Sequence, residues 1–255
     1  MAGHSKWANI KHRKGAQDAK RGKAFSKVVK DIMVASRMGG PDPEANPRLR
    51  LAIAKAKAVS LPRENLERAI KKGAGLLEGE NYEEVMYEAY GPGGVAILVE
   101  CLTDNRNRTA SEVRHAFSKR GFSIGASGSA AHSFNRRGEV IVSAEGTDEE
   151  SVMMAAMEHG GDDVQETSDD DGKDVFQVVC EVPDLETLRE GLEAEGLKVT
   201  GYGLTWIPSV SSPVAGKDAE QLLALLEAVE DVDDTRNVYA NYDISDDEMA
   251  RIVGG

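Results

Sequence analysis

Apolar residues recur at helical spacing early in the chain and at strand spacing later, and this change of period divides the molecule. Phe25, Val28, Val29 and Ile32 follow the i, i+3, i+4, i+7 rule, which predicts a helix from about Gly22 to Arg37 with one packed face. At about 100° per residue, Lys20, Lys23, Lys27, Lys30 and Arg37 gather on roughly the opposite side. Gly39, Gly40 and Pro41 end that helix, and a second begins near Pro47 and continues through Leu51, Ala54 and Ala58. Pro62 opens a third, with Leu66 and Ile70 inward and Arg63, Arg68, Lys71 and Lys72 outward, until Gly73 and Gly75 close it.

After that the alternation becomes that of strands. Residues 82–90, the turn GPGG at 91–94 and VAILVECLT at 95–103 read as a hairpin. A helix from about Arg106 to Lys119 follows, burying Ala110, Val113 and Phe117, with Thr109 and Glu112 spaced as a capping box. GFSIGASGSAAHSF at 121–134 reads as a connector. Residues 138–206 then read strand, helix, strand, strand, helix, strand, the order of a split βαβ unit of ferredoxin-like type. A last helix, KDAEQLLALLEAVED, and a last strand, NVYANYDI, have no partner of their own, and they most simply complete the hairpin-plus-helix unit. The fold class is α+β and multi-domain: an N-terminal three-helix domain plus two α/β domains with antiparallel sheets, the third ferredoxin-like and inserted in the second. The expected boundaries are 1–78, then 79–134 with 207–255, and 135–206 as the insert.

Charge sharpens this division. The formal net charge of −13 conceals 18 Lys+Arg against 6 Asp+Glu in residues 1–75, a net of +12, and 13 against 38 afterwards, a net of −25. A head this basic on a body this acidic fits a polyanion-binding segment on a carrier that repels polyanions elsewhere. The alternative is a solvated helical region neutralised by its own acidic body. With 40% hydrophobic and 29% charged residues, and no apolar run of about 18, the chain reads as a globular protein without a membrane span. MAGHSKWANIKHRK lacks the apolar stretch of a secretory signal, so a cytoplasmic location is expected. Cys101 and Cys180 lie in hydrophobic runs and read as reduced core residues.

Catalytic signatures are missing from the sequence. It contains no GxxxxGK[ST], no GxGxxG after a strand, no GxSxG and no HExxH, so the chain is not expected to be an enzyme. His4, His12, His115, His132 and His159 are scattered without a Cys or second His at ligand spacing, and neither metal nor cofactor is expected. SDDDGKD at 168–174 fails the calcium-loop template, and its Asp171-Gly172 pair reads as a hairpin turn. GPGG is likewise read as a plain turn.

The positive signal is HSKWANIKHRKGAQDAKRGKAFSK, where Lys and Arg are interleaved with polar and aromatic residues. Such cations bind phosphate and release counterions, so affinity falls steeply with salt. The first 20 residues have little apolar periodicity and are expected to be mobile when free. Trp7 either stacks on an unpaired base, worth about 1–3 kcal/mol, or folds back onto the helices.

HSKWANIKHRK, GGPDPEANPRLRLAIAKAKAVSLPRENLERAIKKG, YEAYGPGGVAILVECLTDNRNRTASEVRHAFSKRGF and VYANYDI resemble the YebC/PmpR family of transcriptional regulatory proteins, which has a mitochondrial translational activator of cytochrome oxidase as a relative. Nearly the whole chain is covered, with long motifs in family order. The resemblance implies three domains around a cleft and DNA binding with regulation of transcription. For part of the family it implies ribosome binding, through ribosomal RNA, and relief of stalling on proline-rich stretches. An enzyme acting in the cleft is a minor alternative. Carried over by position, the nucleic-acid-binding residues are His4, Ser5, Lys6, Trp7, Lys11, Arg13, Lys14, Lys20, Lys23 and Lys27, extended by the outward Arg63, Arg68, Lys71 and Lys72. A second patch is Asn105, Arg106, Asn107, Arg108 and Thr109, at a helix start where backbone N–H groups and two guanidiniums suit a phosphate. The same residues could equally cap the helix and pair with the acidic body. The expected partner is nucleic acid, with no small-molecule substrate and a monomeric chain.

Overall fold

A computed structural model of the chain describes residues 17–78, 82–169 and 172–254. They fall into two compact units: one built from residues up to 132 and from 214–240, the other from 133–213 and from 241 onward.

The first unit begins with three helices, α1 (Gln17–Gly39), α2 (Pro47–Ala58) and α3 (Arg63–Gly73). The helix predicted from Gly22 starts earlier, since polar first turns carry no apolar stripe to mark them. Val28, Ile32, Met33 and Ala35 of α1 pack with Leu49, Ala52 and Ala56 of α2 and Ala69 of α3. Asn46, 3% exposed, fixes the entry to α2: its Oδ1 accepts the Leu49 N–H while its Nδ2 donates to the carbonyls of Ala35 and Gly40. Helices α1 and α3 approach so closely that a Cβ on Gly73 would lie 2.2 Å from the Met33 carbonyl oxygen. A glycine is required there.

The unit continues into a three-stranded antiparallel sheet of β1 (Glu83–Tyr90), β2 (Ala96–Thr103) and a later strand, Thr235–Ala240, with β2 central and all eight of its residues buried. The register runs Glu83↔Thr103 to Tyr90↔Ala96 across a tight turn in which Gly93 and Gly94 are left-handed, as the plain-turn reading expects. Helix α4 (Arg106–Ser118) buries Val113 and Phe117. The connector after it is anchored by buried Glu88, whose carboxylate accepts the N–H groups of Gly128, Ala130 and Ala131 at 2.6, 2.7 and 2.8 Å. Burial raises the Glu88 pKa, but these three donors outweigh it and hold the group below its ordinary range.

The second unit contains β3 (Phe134–Ser143), α5 (Glu149–Glu158), β4 (Gly161–Ser168), β5 (Asp174–Cys180), α6 (Leu185–Ala194) and β6 (Val199–Pro208). Its sheet order β4-β5-β3-β6, antiparallel throughout, is that of the ferredoxin-like unit. Val140, Val142, Val164, Phe176 and Val178 face Val152, Ala156, Leu188 and Leu192 of the two helices. Between β4 and β5, Asp169 Oδ1 accepts the Lys173 N–H and its carbonyl accepts that of Gly172, whose φ is +76°, while Asp171 of the predicted turn pair lies outside the described residues.

The chain then pairs β7 (Ser212–Pro213) and returns to the first unit with α7 (Gly216–Glu230) and β8 (Thr235–Ala240), which pairs with β2. This is the completion that the unpartnered last helix and strand predict. The single strand expected over NVYANYDI is broken, however. Asn241 donates to the Val210 carbonyl and accepts the Ser212 N–H, and after it β9 (Tyr242–Asp243) runs parallel to β7. Helix α8 (Asp246–Gly254) ends the described chain. No helix among the described residues is long and apolar enough to cross a membrane.

Candidate nucleic-acid interface

The predicted patch at 105–109 is organised by a distant acidic residue that no sequence motif marks. Asp234, 3% exposed, sits between α7 and β8. Its Oδ1 lies 2.6 Å from Lys30 Nζ, while its Oδ2 accepts from Thr109 Oγ1 at 2.7 Å, from Arg108 Nη2 at 2.8 Å and from Thr103 Oγ1 at 3.2 Å. Its carbonyl accepts the Leu102 N–H at 2.8 Å. One carboxylate thus joins α1, β2 and α4. Burial works against the charge, but the bonds from Lys30, Arg108 and Thr109 prevail and bring the Asp234 pKa down to about 2.

This network decides what the start of α4 presents. Asn105 caps the helix by accepting the Arg108 N–H at 3.1 Å, so the capping box predicted for Thr109 and Glu112 does not form. Thr109 lies one turn inside the helix and is buried under Asp234. Arg108 is held by Asp234 and, at 2.7 Å, by Asp104, and these bonds raise its pKa. Arg106 and Asn107 remain outward: the Arg106 side chain is 64% exposed, with Glu83 at 3.7 Å.

The basic character continues through α4 and into the two residues after it. Residues 106–120 hold five of the 13 Lys+Arg that follow residue 75, against a single acid, Glu112. Arg114, His115, Lys119 and Arg120 are exposed and extend the surface beyond the predicted patch. This local reversal of sign is legible in the sequence as a count per window, though no motif marks it.

In the helical region, Arg68 and Lys71 are exposed, Arg63 pairs with Glu67 one turn on at 2.8 Å, and half-buried Lys72 lines a recess of about 270 Å³ with Arg37, Met33 and Tyr82. Lys27 is half-buried. Lys30, expected on the outward cationic face, instead turns in to Asp234 and lies 5.7 Å from the Tyr82 ring centre. Lys20 and Lys23 lie on α1. His4, Ser5, Lys6, Trp7, Lys11, Arg13 and Lys14 fall outside the described residues.

Two family models match the chain, one described as the TACO1/YebC protein N-terminal domain over residues 5–76 and one as the TACO1/YebC second and third domain over residues 82–242. A protein of Syntrophotalea carbinolica named "Probable transcriptional regulatory protein" is 54% identical over all of both chains. One of the same name from Methylococcus capsulatus is 54% identical over 99% of this chain and 100% of its own. A crystal structure of a conserved hypothetical protein from Aquifex aeolicus is 46% identical, covers 91% of this chain and 95% of its own, and superposes with a TM-score of 0.82.

Proposed function

This chain belongs to the TACO1/YebC family, whose relatives carry the name of transcriptional regulatory proteins, and on that premise we propose that it regulates gene expression by binding DNA through its basic N-terminal third. The observation that carries this reading is the charge division, +12 over residues 1–75 against −25 over the rest. Arg68 and Lys71 on α3 and Arg106 with Asn107 on α4 supply exposed donors for phosphate oxygens. The role is binding rather than catalysis.

A second reading, binding of ribosomal RNA in translation, is favoured by one feature. Exposed Arg106 and Asn107 stand at a helix start fixed by the Asn105 cap and the Arg108–Asp234 ion pair, a geometry suited to backbone contact rather than to a helix lying deep in a major groove. The test is competition: labelled promoter duplex bound by the whole protein is challenged with unrelated duplex and with ribosomes. DNA-directed regulation requires that promoter duplex resist both. Displacement by ribosomes at far lower concentration than by any duplex would move the assignment to RNA.

A further inference from the structure

The ferredoxin-like unit holds a group of side chains that the proposed function does not use. Glu158 ends α5, His159 is the C-cap of that helix, and Glu195 is the C-cap of α6. One ligand-capable atom from each of the three lies within 4.8 Å of the others. His159 Nε2 stands 3.7 Å from Glu195 Oε1, beyond hydrogen-bond reach, and is shielded from solvent without a hydrogen-bond partner. The imidazole is seated on α6, where a Cβ on Gly191 would lie 2.1, 2.4 and 2.6 Å from its Cγ, Nδ1 and Cδ2.

Neither Glu158 nor Glu195 pairs with a Lys or Arg among the described residues. Two helices also deliver their C-terminal ends, the negative ends of their dipoles, to this one place. Such an arrangement stabilises a cation. We propose that Glu158, His159 and Glu195 bind a divalent transition-metal ion of the zinc class. One imidazole nitrogen with two carboxylates suits such an ion better than calcium or magnesium, which take oxygen ligands. Metal–ligand bonds of about 2.0–2.2 Å place two ligands of one ion up to about 4 Å apart, so the His159–Glu195 spacing fits and Glu158 closes by a change of rotamer. The ion ties the end of α5 to the end of α6, with water at its remaining position. Sequence spacing hides this group, because Glu195 lies 36 positions after His159.

Zinc titration of the whole protein by calorimetry at neutral pH, in a non-chelating buffer, tests the proposal. His159→Gln and Glu195→Gln should each remove one equivalent, or weaken it at least about tenfold, the lower end of what even outer-shell changes cost at metal sites. Gly191→Ala, which displaces the ring without removing a ligand, should weaken the same equivalent, while His115→Gln and His132→Gln leave it intact. Zinc should raise the melting temperature of the wild type and not that of His159→Gln. Stoichiometry and affinity unchanged in His159→Gln, or no zinc bound by the wild type at about 100 μM, a concentration at which a site of micromolar Kd would be nearly full, would overturn it.

Discussion

The basic helical region and the ferredoxin-like unit differ less in whether they carry cations than in what those cations are doing. Residues 133–213 have 5 Lys+Arg against 19 Asp+Glu, a net of −14. Arg137 bridges Asp162 and Glu181, Arg189 is held by Glu186, Glu190 and Glu193, Lys198 meets Glu145, and Arg136 lies over the Trp206 ring. Positive charge there is consumed within the fold. In the helical region and over residues 106–120, cations exceed nearby acids, and Arg68, Lys71, Arg114, Lys119 and Arg120 stand exposed. Availability of charge, more than its amount, separates a surface that can bind a polyanion from one that cannot.

The strongest way to break this comparison is to move residues from one class to the other. Asp234→Ala releases Lys30 and Arg108 from their shared partner and removes the carboxylate acceptor of Thr109. A loss of about 3 kcal/mol is expected in urea unfolding at pH 7, at the low end for a broken buried pair because Arg108 keeps contact with water. The acid dependence follows from the pKa of about 2. A depressed carboxylate contributes stability above its ordinary pKa of about 3.9, and that contribution disappears as pH falls from about 4 towards 2. About 2 kcal/mol should vanish over that window in the wild type, and Asp234→Asn should flatten it.

Gly73→Ala sharpens the helical side, since the added methyl meets the Met33 carbonyl at 2.2 Å. The expected cost is about 2 kcal/mol by thermal unfolding, as for overpacked cores. Next in size, Arg68→Gln with Lys71→Gln should reduce affinity for duplex or structured RNA about tenfold at low salt, read by fluorescence anisotropy, with stability unchanged. Arg189→Gln supplies the opposite outcome on the acidic side. It should cost about 1 kcal/mol, because the side chain is only 12% exposed and held by three glutamates, and leave affinity untouched.

Much of this architecture could be read from the chain. Period-3.6 stripes gave α1 to α3, and period-2 runs with glycine turns gave the hairpin and the ferredoxin-like order, because burial of one face imposes those spacings. The first turns of α1 escaped, since no apolar residue marks them. Asn241 escaped as well: its hydrogen bonds to the 210–212 segment end a strand that pattern alone would continue. The start of α4 was legible as basic, but which of its groups face outward depends on Asp234, 126 positions after Arg108. The cluster of Glu158, His159 and Glu195 escaped for the same reason. Long-range pairing decides which charges remain available, and periodicity does not record it.

The most direct measurement is the salt dependence of binding by the whole protein, between about 50 and 200 mM, for the wild type and for a variant with Lys6, Lys11, Arg13 and Lys14 changed to glutamine. Log affinity against log salt should lose about 0.9 of slope per duplex phosphate contact removed, and low-salt affinity should fall with it. Equal slopes and equal affinities in the two proteins would contradict the assignment of binding to the N-terminal cations.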